Sequence, residues 1–216
     1  MYPIEYDHTK SYPVVLFLHG SGERGSDNEQ QLKHGSTIFT NESNRKKFPA
    51  IIIFPQCPTQ QSWVNFERTT KDKFRFIVDN KPTKPLMLAK KLLEMYKRTE
   101  AIDSKRIYIL GLSLGGMGTY DLICRYPKTF AAAIPICGAV DVDRLKTCPN
   151  MPIRIYHGSN DTAVSPEYSQ NAYSKLKAIG SKKVDYIEFS NIGHDSWNLA
   201  FADPNFLIWL FEKRKN

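Results

Sequence analysis

Residues 111–115 read Gly-Leu-Ser-Leu-Gly and match the pattern Gly-x-Ser-x-Gly. The motif follows a short apolar run at 107–110 and precedes a helical pattern over 115–126. A serine between a strand and a helix lies on a sharp, strained turn, so its neighbours must be small. The glycines at both ends of the motif meet that requirement. The stretch therefore predicts a nucleophilic serine, Ser113, at the carboxyl end of a strand.

Short apolar runs recur on both sides of this motif and alternate with helical patterns. Near-continuous apolar runs are typical of strands buried on both faces, and strand–helix alternation is typical of a parallel sheet covered by helices. The runs cover 14–18, 50–54, 107–110, 131–136, 153–156 and 184–189, and the helical patterns cover 85–98, 115–126, 166–179 and 203–213. The sequence therefore predicts an α/β fold in a single domain over residues 1–216, with a mostly parallel central sheet flanked by helices on both faces. The polar residues 56–84 are predicted to form a long surface loop.

A serine hydroxyl is a weak nucleophile and needs a general base, which in turn needs an orienting carboxylate. In folds that carry this serine turn, the chain order is serine, acid, histidine. Downstream of Ser113 the histidines are His157 and His194. His157 ends a predicted strand and precedes any plausible acid, whereas His194 lies in a loop between the last strand and the last helix. We therefore predict that His194 is the base.

Asp161 is the predicted acid because it follows the strand at 153–156 in the sequence His-Gly-Ser-Asn-Asp. Asp141 and Asp143 follow the preceding strand and stay as alternatives. Asp195 is adjacent to His194, and consecutive side chains rarely point at each other.

Residues 19–25 read His-Gly-Ser-Gly-Glu-Arg-Gly and follow the first predicted strand. An oxyanion hole needs two backbone N–H groups, one after the nucleophile and one from such an early loop. We predict that Leu114 and Ser21 supply them, and that His19 braces the loop. A phosphate- or dinucleotide-binding loop is the competing interpretation, but the third glycine falls one position early and no helix clearly opens there.

Charge and composition favour a folded globular protein. The chain has 216 residues, of which 41% are hydrophobic, and a net charge of +8. The basic residues are scattered in short groups, at 45–47, 90–91, 182–183 and 213–215, which is typical of a solvated surface rather than a nucleic-acid interface. No run approaches the about 20 apolar residues of a membrane span. No signal peptide is visible, and the compartment and the oligomeric state stay open.

The four cysteines show no Cys-x-x-Cys spacing, so they indicate neither a zinc site nor a redox dithiol. They are expected to be buried free thiols. A single disulfide stays as the alternative, and Cys137 with Cys148 would close the shortest loop. Neither a metal nor an organic cofactor is needed by a serine nucleophile.

The motifs together resemble the α/β-hydrolase superfamily, and within it the small serine esterases of the phospholipase/carboxylesterase and dienelactone-hydrolase-like branch. That branch includes proteins called predicted peptidases and relatives of feruloyl and acetyl-xylan esterases. The resemblance rests on residues 12–25, 54–58 with Trp63, 111–116, 157–161 and 193–197. It implies a triad of Ser113, Asp161 and His194 with oxyanion donors at Ser21 and Leu114. Members usually have one or two strands before the strand at 14–18, so this chain is either trimmed or naturally minimal.

The resemblance implies a carboxylic-ester hydrolase acting on short-acyl or carbohydrate-linked esters. Residues 137–152, between two predicted strands, are too few for a cap domain, so we expect an open site. Trp63 and Trp197 are expected to flank a sugar or an aromatic acyl group. Two alternatives remain, a serine peptidase on the same fold and a non-catalytic protein that binds polyanions.

Overall fold

The computed structural model describes residues 1–215, which form a six-stranded sheet, a separate two-stranded hairpin and seven α-helices. The strands are β1 (Tyr12–Leu18), β2 (Ile51–Ile53), β3 (Phe66–Arg68), β4 (Phe74–Phe76), β5 (Ile102–Leu112), β6 (Ala132–Ile136), β7 (Ile153–Gly158) and β8 (Val184–Phe189). The helices are α1 (Ser36–Thr40), α2 (Glu42–Lys47), α3 (Lys84–Thr99), α4 (Leu114–Arg125), α5 (Glu167–Ala178), α6 (Trp197–Ala202) and α7 (Phe206–Phe211). Short 3-10 helices cover Ser21–Glu23, Gln30–Leu32 and Val142–Thr147.

The six strands lie in the order β2-β1-β5-β6-β7-β8, and every neighbouring pair is parallel. All their carboxyl ends therefore meet at one edge of the sheet, where ligands bind in open α/β sheets. The predicted parallel sheet is confirmed. The connection over 137–152 holds only the 3-10 helix Val142–Thr147, and no cap domain is present there.

Successive residues of β1 point to opposite faces of the sheet, as the two-residue period of a strand requires. Val14 and Leu16 belong to an apolar cluster that includes residues of α3, α4 and α5. Val15 and Phe17 belong to a second cluster that includes residues of α1 and α7. Helices therefore cover both faces, as predicted, and hold the carboxyl edge of the sheet in place.

The prediction of a plain surface loop over 56–84 is wrong. Strands β3 and β4 pair there as an antiparallel hairpin. The hairpin is fastened to α5, because the Tyr168 hydroxyl accepts a hydrogen bond from the Phe74 N–H at 2.6 Å and donates to the Phe74 carbonyl at 3.0 Å. Each strand has only three residues, with charged and aromatic side chains mixed, so its apolar pattern is too short to recognise.

The helix predicted over 203–213 is shorter, and a separate helix α6 precedes it. The two helices are divided at Asp203-Pro204. A proline disfavours helical backbone in the residue before it, which explains the break. Helix α6 begins three residues after His194 and so limits the length of the loop that carries this side chain.

All four cysteines are free and buried, so the predicted alternative of a Cys137–Cys148 disulfide is wrong. In the part of the chain that the structure describes, none of the helices has the length and hydrophobicity to cross a bilayer.

Candidate active site

Ser113 lies between the end of β5 and the start of α4, at the carboxyl edge of the sheet. Its backbone angles are φ 53° and ψ −116°, a region that residues with a side chain rarely adopt. The Ser113 N–H donates to the carbonyl of Ile136 at 2.8 Å, which ties the turn to the neighbouring strand. Strain of this kind clusters at functional sites, where the surrounding fold enforces it.

Gly115 permits this turn because α4 approaches β1 very closely there. A Cβ atom at position 115 would lie 1.9 Å from the carbonyl oxygen of Leu18, a distance that only a glycine avoids. Packing between α4 and β1 therefore requires the second glycine of the motif. This close contact fixes the position of Ser113 relative to the strands.

His194 lies in the loop between β8 and α6 with its ring directed at Ser113. Its Nε2 atom is 2.8 Å from the Ser113 Oγ atom, and its Nδ1 atom is 2.7 Å from the Asp161 Oδ2 atom. The loop is held to the loop after β7 by three hydrogen bonds. They run from Ser159 N–H to the Phe189 carbonyl at 3.0 Å, from Asn160 N–H to the Ile192 carbonyl at 2.9 Å and from Asn191 N–H to Ser159 Oγ at 2.8 Å.

Asp161 follows β7, and its side chain is fully buried. Its Oδ1 atom accepts hydrogen bonds from the N–H groups of Ala163 at 2.8 Å and Val164 at 2.9 Å. Burial alone would raise the pKa of the carboxyl, but hydrogen bonds from His157, His194 and the Val164 N–H outweigh it and hold the pKa well below its usual range. An ionised Asp161 only accepts, so His194 donates from Nδ1 and its Nε2 atom is left to accept the Ser113 hydroxyl proton.

The predicted oxyanion donors, the N–H groups of Leu114 and Ser21, belong to the start of α4 and to the loop after β1. Leu114 is the first residue of α4, so its N–H has no partner within the helix. Ser21 opens a 3-10 turn directly after Gly20. A Cβ atom at Gly20 would lie 3.6 Å from the Ser113 Cβ atom, which brings the loop after β1 against the serine. The roles of the two N–H groups stay a prediction.

His19 and Trp63 hold the loop after β1 in place through buried hydrogen bonds. The Cys57 N–H donates to His19 Nε2 at 2.9 Å, so the ring proton is on Nδ1, which donates to the Gly20 carbonyl at 2.6 Å. Burial lowers the pKa of His19, which favours this neutral form. The Trp63 indole N–H donates to the His19 carbonyl at 3.0 Å. Trp63 is 1% exposed and packs in the core, so the expectation that it flanks a substrate is corrected.

Trp197 is partly exposed beside His194. The two rings meet edge-on, with centroids 5.4 Å apart and planes at 85°. The ring centroids of Trp197 and His34 are 5.3 Å apart, and His34 Nε2 lies 3.7 Å from the buried carboxylate of Glu23. His34 and Glu23 were not singled out from the sequence, because neither stands in a motif that relates it to Trp197.

The alternative acids lie elsewhere. Asp141 caps the 3-10 helix Val142–Thr147 by accepting from the Asp143 N–H, and Asp143 itself pairs with Lys175 at 2.7 Å. Asp195 is exposed. The glycine-rich stretch at 19–25 forms only the short turn Ser21–Glu23 and does not open a long helix, unlike a phosphate-binding loop.

Cys137 lies next to the same group of side chains. A sulfur of Cys137, a carboxylate oxygen of Asp161 and a ring nitrogen of His194 all lie within 4.8 Å of one another. Thiolate, carboxylate and imidazole are ligands that suit Zn²⁺. However, Asp161 and His194 already bind each other, and burial raises the pKa of the Cys137 thiol. No sequence motif indicates this neighbour, because the position of Cys137 depends on how β6 packs beside β7.

The chain matches the phospholipase/carboxylesterase family over residues 2–207. A solved structure described as a thermostable esterase is 34% identical with a TM-score of 0.90, and the match covers 100% of this chain and 58% of that chain. The bifunctional acetylxylan esterase/xylanase XynS20E of Neocallimastix patriciarum is 26% identical over 154 residues, which is 71% of this chain and 20% of that protein. The probable carboxylesterase SOBER1-like of Arabidopsis thaliana is 27% identical over 204 residues, or 85% of this chain and 73% of that protein.

This chain therefore spans little more than half of the thermostable esterase and a fifth of XynS20E. The parallel sheet, the serine turn between β5 and α4 and these matches agree with the fold that the motifs predict. The chain has an α/β-hydrolase fold and belongs to the phospholipase/carboxylesterase family.

Proposed function

We propose that this chain is a serine carboxylic-ester hydrolase in which Ser113 is the nucleophile, His194 the general base and Asp161 the acid that orients it. The observation that carries the proposal is the continuous chain of hydrogen bonds from Ser113 Oγ through the His194 ring to Asp161, at 2.8 and 2.7 Å. Membership of the phospholipase/carboxylesterase family supports the same reaction class.

In the first half of the reaction, the Ser113 oxygen attacks the ester carbonyl while its proton passes to His194 Nε2. The carbonyl oxygen gains a negative charge, which the N–H groups of Ser21 and Leu114 stabilise. Each such donor is typically worth about 3–4 kcal/mol in the transition state. Asp161 stabilises the imidazolium. The intermediate then expels the alcohol, which takes the proton from His194 and leaves an acyl group on Ser113.

In the second half, water replaces the alcohol. His194 Nε2 accepts a proton from the water as its oxygen attacks the acyl carbonyl, and the same two N–H groups hold the oxyanion. Collapse returns the proton to Ser113 and releases the carboxylic acid. Every proton transfer uses groups of this chain.

The test is hydrolysis of p-nitrophenyl acetate and butyrate by the wild type, by Ser113→Ala and by Ser11→Ala, a control at an exposed serine. We expect Ser113→Ala to lose activity by about 10⁴-fold or more and the control to keep it. p-Nitroacetanilide, an amide with the same acetyl group, distinguishes the ester hydrolase from a serine peptidase. Faster cleavage of the amide would favour the peptidase, and activity in Ser113→Ala would contradict the assigned nucleophile.

We further propose that the substrate is a short-acyl or carbohydrate-linked ester. Three observations support this class. The relative XynS20E is described as an acetylxylan esterase, the connection over 137–152 is short, and Trp197 is partly exposed against His194. An indole face suits stacking on a sugar or an aromatic acid.

Acetylated xylan, methyl ferulate and p-nitrophenyl palmitate test this class in the wild type and in Trp197→Leu. We expect the first two to be hydrolysed and the palmitate to be a poor substrate. Loss of one aromatic contact should raise KM for methyl ferulate about 3- to 10-fold, and raise it less for p-nitrophenyl acetate. A preference for palmitate, or an equal change in both KM values, would contradict the proposed substrate class.

A further inference from the structure

A second histidine, His157, contacts Asp161. His157 lies near the end of β7 and is fully buried. Its Nε2 atom is 3.2 Å from Asp161 Oδ2, the same oxygen that accepts from His194. Nothing in the reaction described above uses His157. A buried polar ring in direct contact with the acid nevertheless needs a physical account.

The hydrogen-bond partners of His157 fix where its proton lies. Nε2 faces two groups that only accept, the Val164 carbonyl at 3.0 Å and the Asp161 carboxylate. Nε2 must therefore carry a hydrogen. Nδ1 lies 2.7 Å from the hydroxyl of Ser169, which is fully buried on α5 and can donate to it. Ser169 thus favours the tautomer that donates toward Asp161.

The contact makes Asp161 the centre of four donors. Two backbone N–H groups donate to Oδ1, His194 donates to Oδ2, and the Nε2–H of His157 is shared between Oδ2 at 3.2 Å and the Val164 carbonyl at 3.0 Å. The hydrogen bond from His157 also helps to keep the carboxyl ionised although it is buried. These contacts on both oxygens restrain rotation of the carboxylate, which keeps Oδ2 in place for His194.

We propose that His157 is a positioning residue for the reaction, with Ser169 setting its tautomer. Its Nε2–H, shared between the Val164 carbonyl and Asp161 Oδ2, restrains the Asp161 carboxylate in the orientation that His194 needs and stabilises the negative charge on Oδ2. This inference rests on the proposed function, because it assigns His157 a role through the acid of that same site.

Three other titratable groups lie near the side chains of His157 and Asp161. His194 lies on the loop after β8, and Cys137 follows β6 within 4.8 Å of the His194–Asp161 pair. Glu188 is the register partner of His157 on β8, but its carboxylate binds Tyr186 and Gln170. Within residues 1–215, His194 at 2.7 Å and His157 at 3.2 Å are thus the side chains whose ring nitrogens contact the Asp161 carboxylate.

Two amide substitutions separate the contacts of His157. In His157→Gln, the amide nitrogen reaches about as far as Nε2 and can still donate to Asp161. In His157→Asn, the shorter amide can still accept from Ser169 but no longer reaches Asp161. His157→Gln therefore keeps the contacts of Nε2 with Asp161 and the Val164 carbonyl, whereas His157→Asn keeps only the contact of Nδ1 with Ser169.

For both variants, kcat, KM and the pH dependence of kcat/KM are measured on p-nitrophenyl acetate, with the melting temperature as a check of folding. We expect His157→Asn to lower kcat about tenfold with little change in KM, and His157→Gln to stay within about threefold of the wild type. Without its second donor, Asp161 holds the His194 proton more tightly. The acid limb of the kcat/KM profile should therefore move to higher pH in His157→Asn alone.

The inference is overturned if folded His157→Asn matches the wild type in kcat and pH profile, or if both variants lose activity equally without a change in that profile. Nitrogen-15 shifts of the wild-type histidines test it without any variant, since a His157 protonated at Nδ1 and not at Nε2 would contradict it. Failure of the proposed function is recognised separately. If the wild type neither hydrolyses esters nor depends on Ser113, the function and this inference both fall.

Discussion

The end of β7 and the loop after β8 each bring one histidine to the same carboxylate oxygen, and the two histidines differ in almost everything else. His157, at the end of β7, is fully buried and has fixed partners on both ring nitrogens. The His194 side chain, after β8, is 27% exposed, and its Nε2 faces the Ser113 hydroxyl. Burial and hydrogen-bond partners, rather than residue type, therefore decide whether a histidine holds another group in place or is available to move a proton.

Gly158 at the end of β7 and Gly193 in the loop after β8 show the same contrast. A Cβ atom at Gly158 would lie 2.4 Å from the carbonyl oxygens of both Ile192 and Gly193. A Cβ atom at Gly193 would meet only the Asp195 carboxylate, at 4.0 Å. The backbone at Gly158 is therefore tightly packed against the loop after β8, whereas the space beside Gly193 is open.

The largest effect is expected at His194. His194→Ala removes the base, so kcat for p-nitrophenyl acetate should fall by about 10⁴-fold or more, because loss of any member of such a unit disables it. The melting temperature should change little, since the side chain is partly exposed. His8→Ala, at an exposed histidine, is the control. A His194→Ala enzyme with near wild-type kcat would contradict the assigned base.

Asp161→Asn should follow, with kcat lowered about 10³- to 10⁴-fold, because a carboxamide no longer fixes His194 with its proton on Nδ1. The matched control is Asp195→Asn, which changes an exposed carboxylate adjacent to the same histidine. Steady-state kinetics on the two variants measure the difference. Equal losses in both would mean that general negative charge, rather than the buried carboxylate, supports the base.

Gly158→Ala should cost activity about 100-fold and lower the melting temperature, because the new Cβ pushes the backbone that carries His194 out of place. Gly193→Ala should stay close to the wild type in both measurements. Thermal unfolding and kcat/KM are compared for the pair. The contrast between Gly158 and Gly193 is wrong if Gly193→Ala causes the larger loss of activity and of melting temperature.

The smallest effect concerns acid stability. The pKa of Asp161 lies below its unfolded value, so ionised Asp161 stabilises the fold above about pH 4 and this contribution is lost as the pH falls toward the folded pKa. Wild type and Asp161→Asn should therefore differ most in melting temperature near neutral pH and converge in acid. A difference that grows on acidification would contradict the sign of this linkage.

The sequence predicted the parts of the molecule whose signals are local. The apolar runs predicted all six strands of the main sheet, since strands buried on both faces need continuous apolar residues. Ser113, Asp161 and His194 could be chosen from their order and their places at strand ends. The structure brings these three side chains together, and their catalytic roles stay a prediction.

Features that depend on packing could not be predicted. Trp63 stands in a polar stretch, yet the His19 carbonyl offers its indole N–H a buried partner. His157 was set aside because it precedes the acid in the chain, although one turn of backbone brings its ring against Asp161. Chain order identifies candidates for a catalytic role, but it contains no information about a second side chain that contacts the same carboxylate.

The central claim is that the site turns Ser113 into a nucleophile through His194. Treatment with a fluorophosphonate, followed by peptide mass spectrometry, tests it most directly, because the reagent needs an activated serine and no knowledge of the substrate. We predict one adduct, on Ser113, formed rapidly in the wild type and in His8→Ala but not in His194→Ala. An unlabelled wild type, an adduct on another serine, or equal labelling of His194→Ala would contradict the claim.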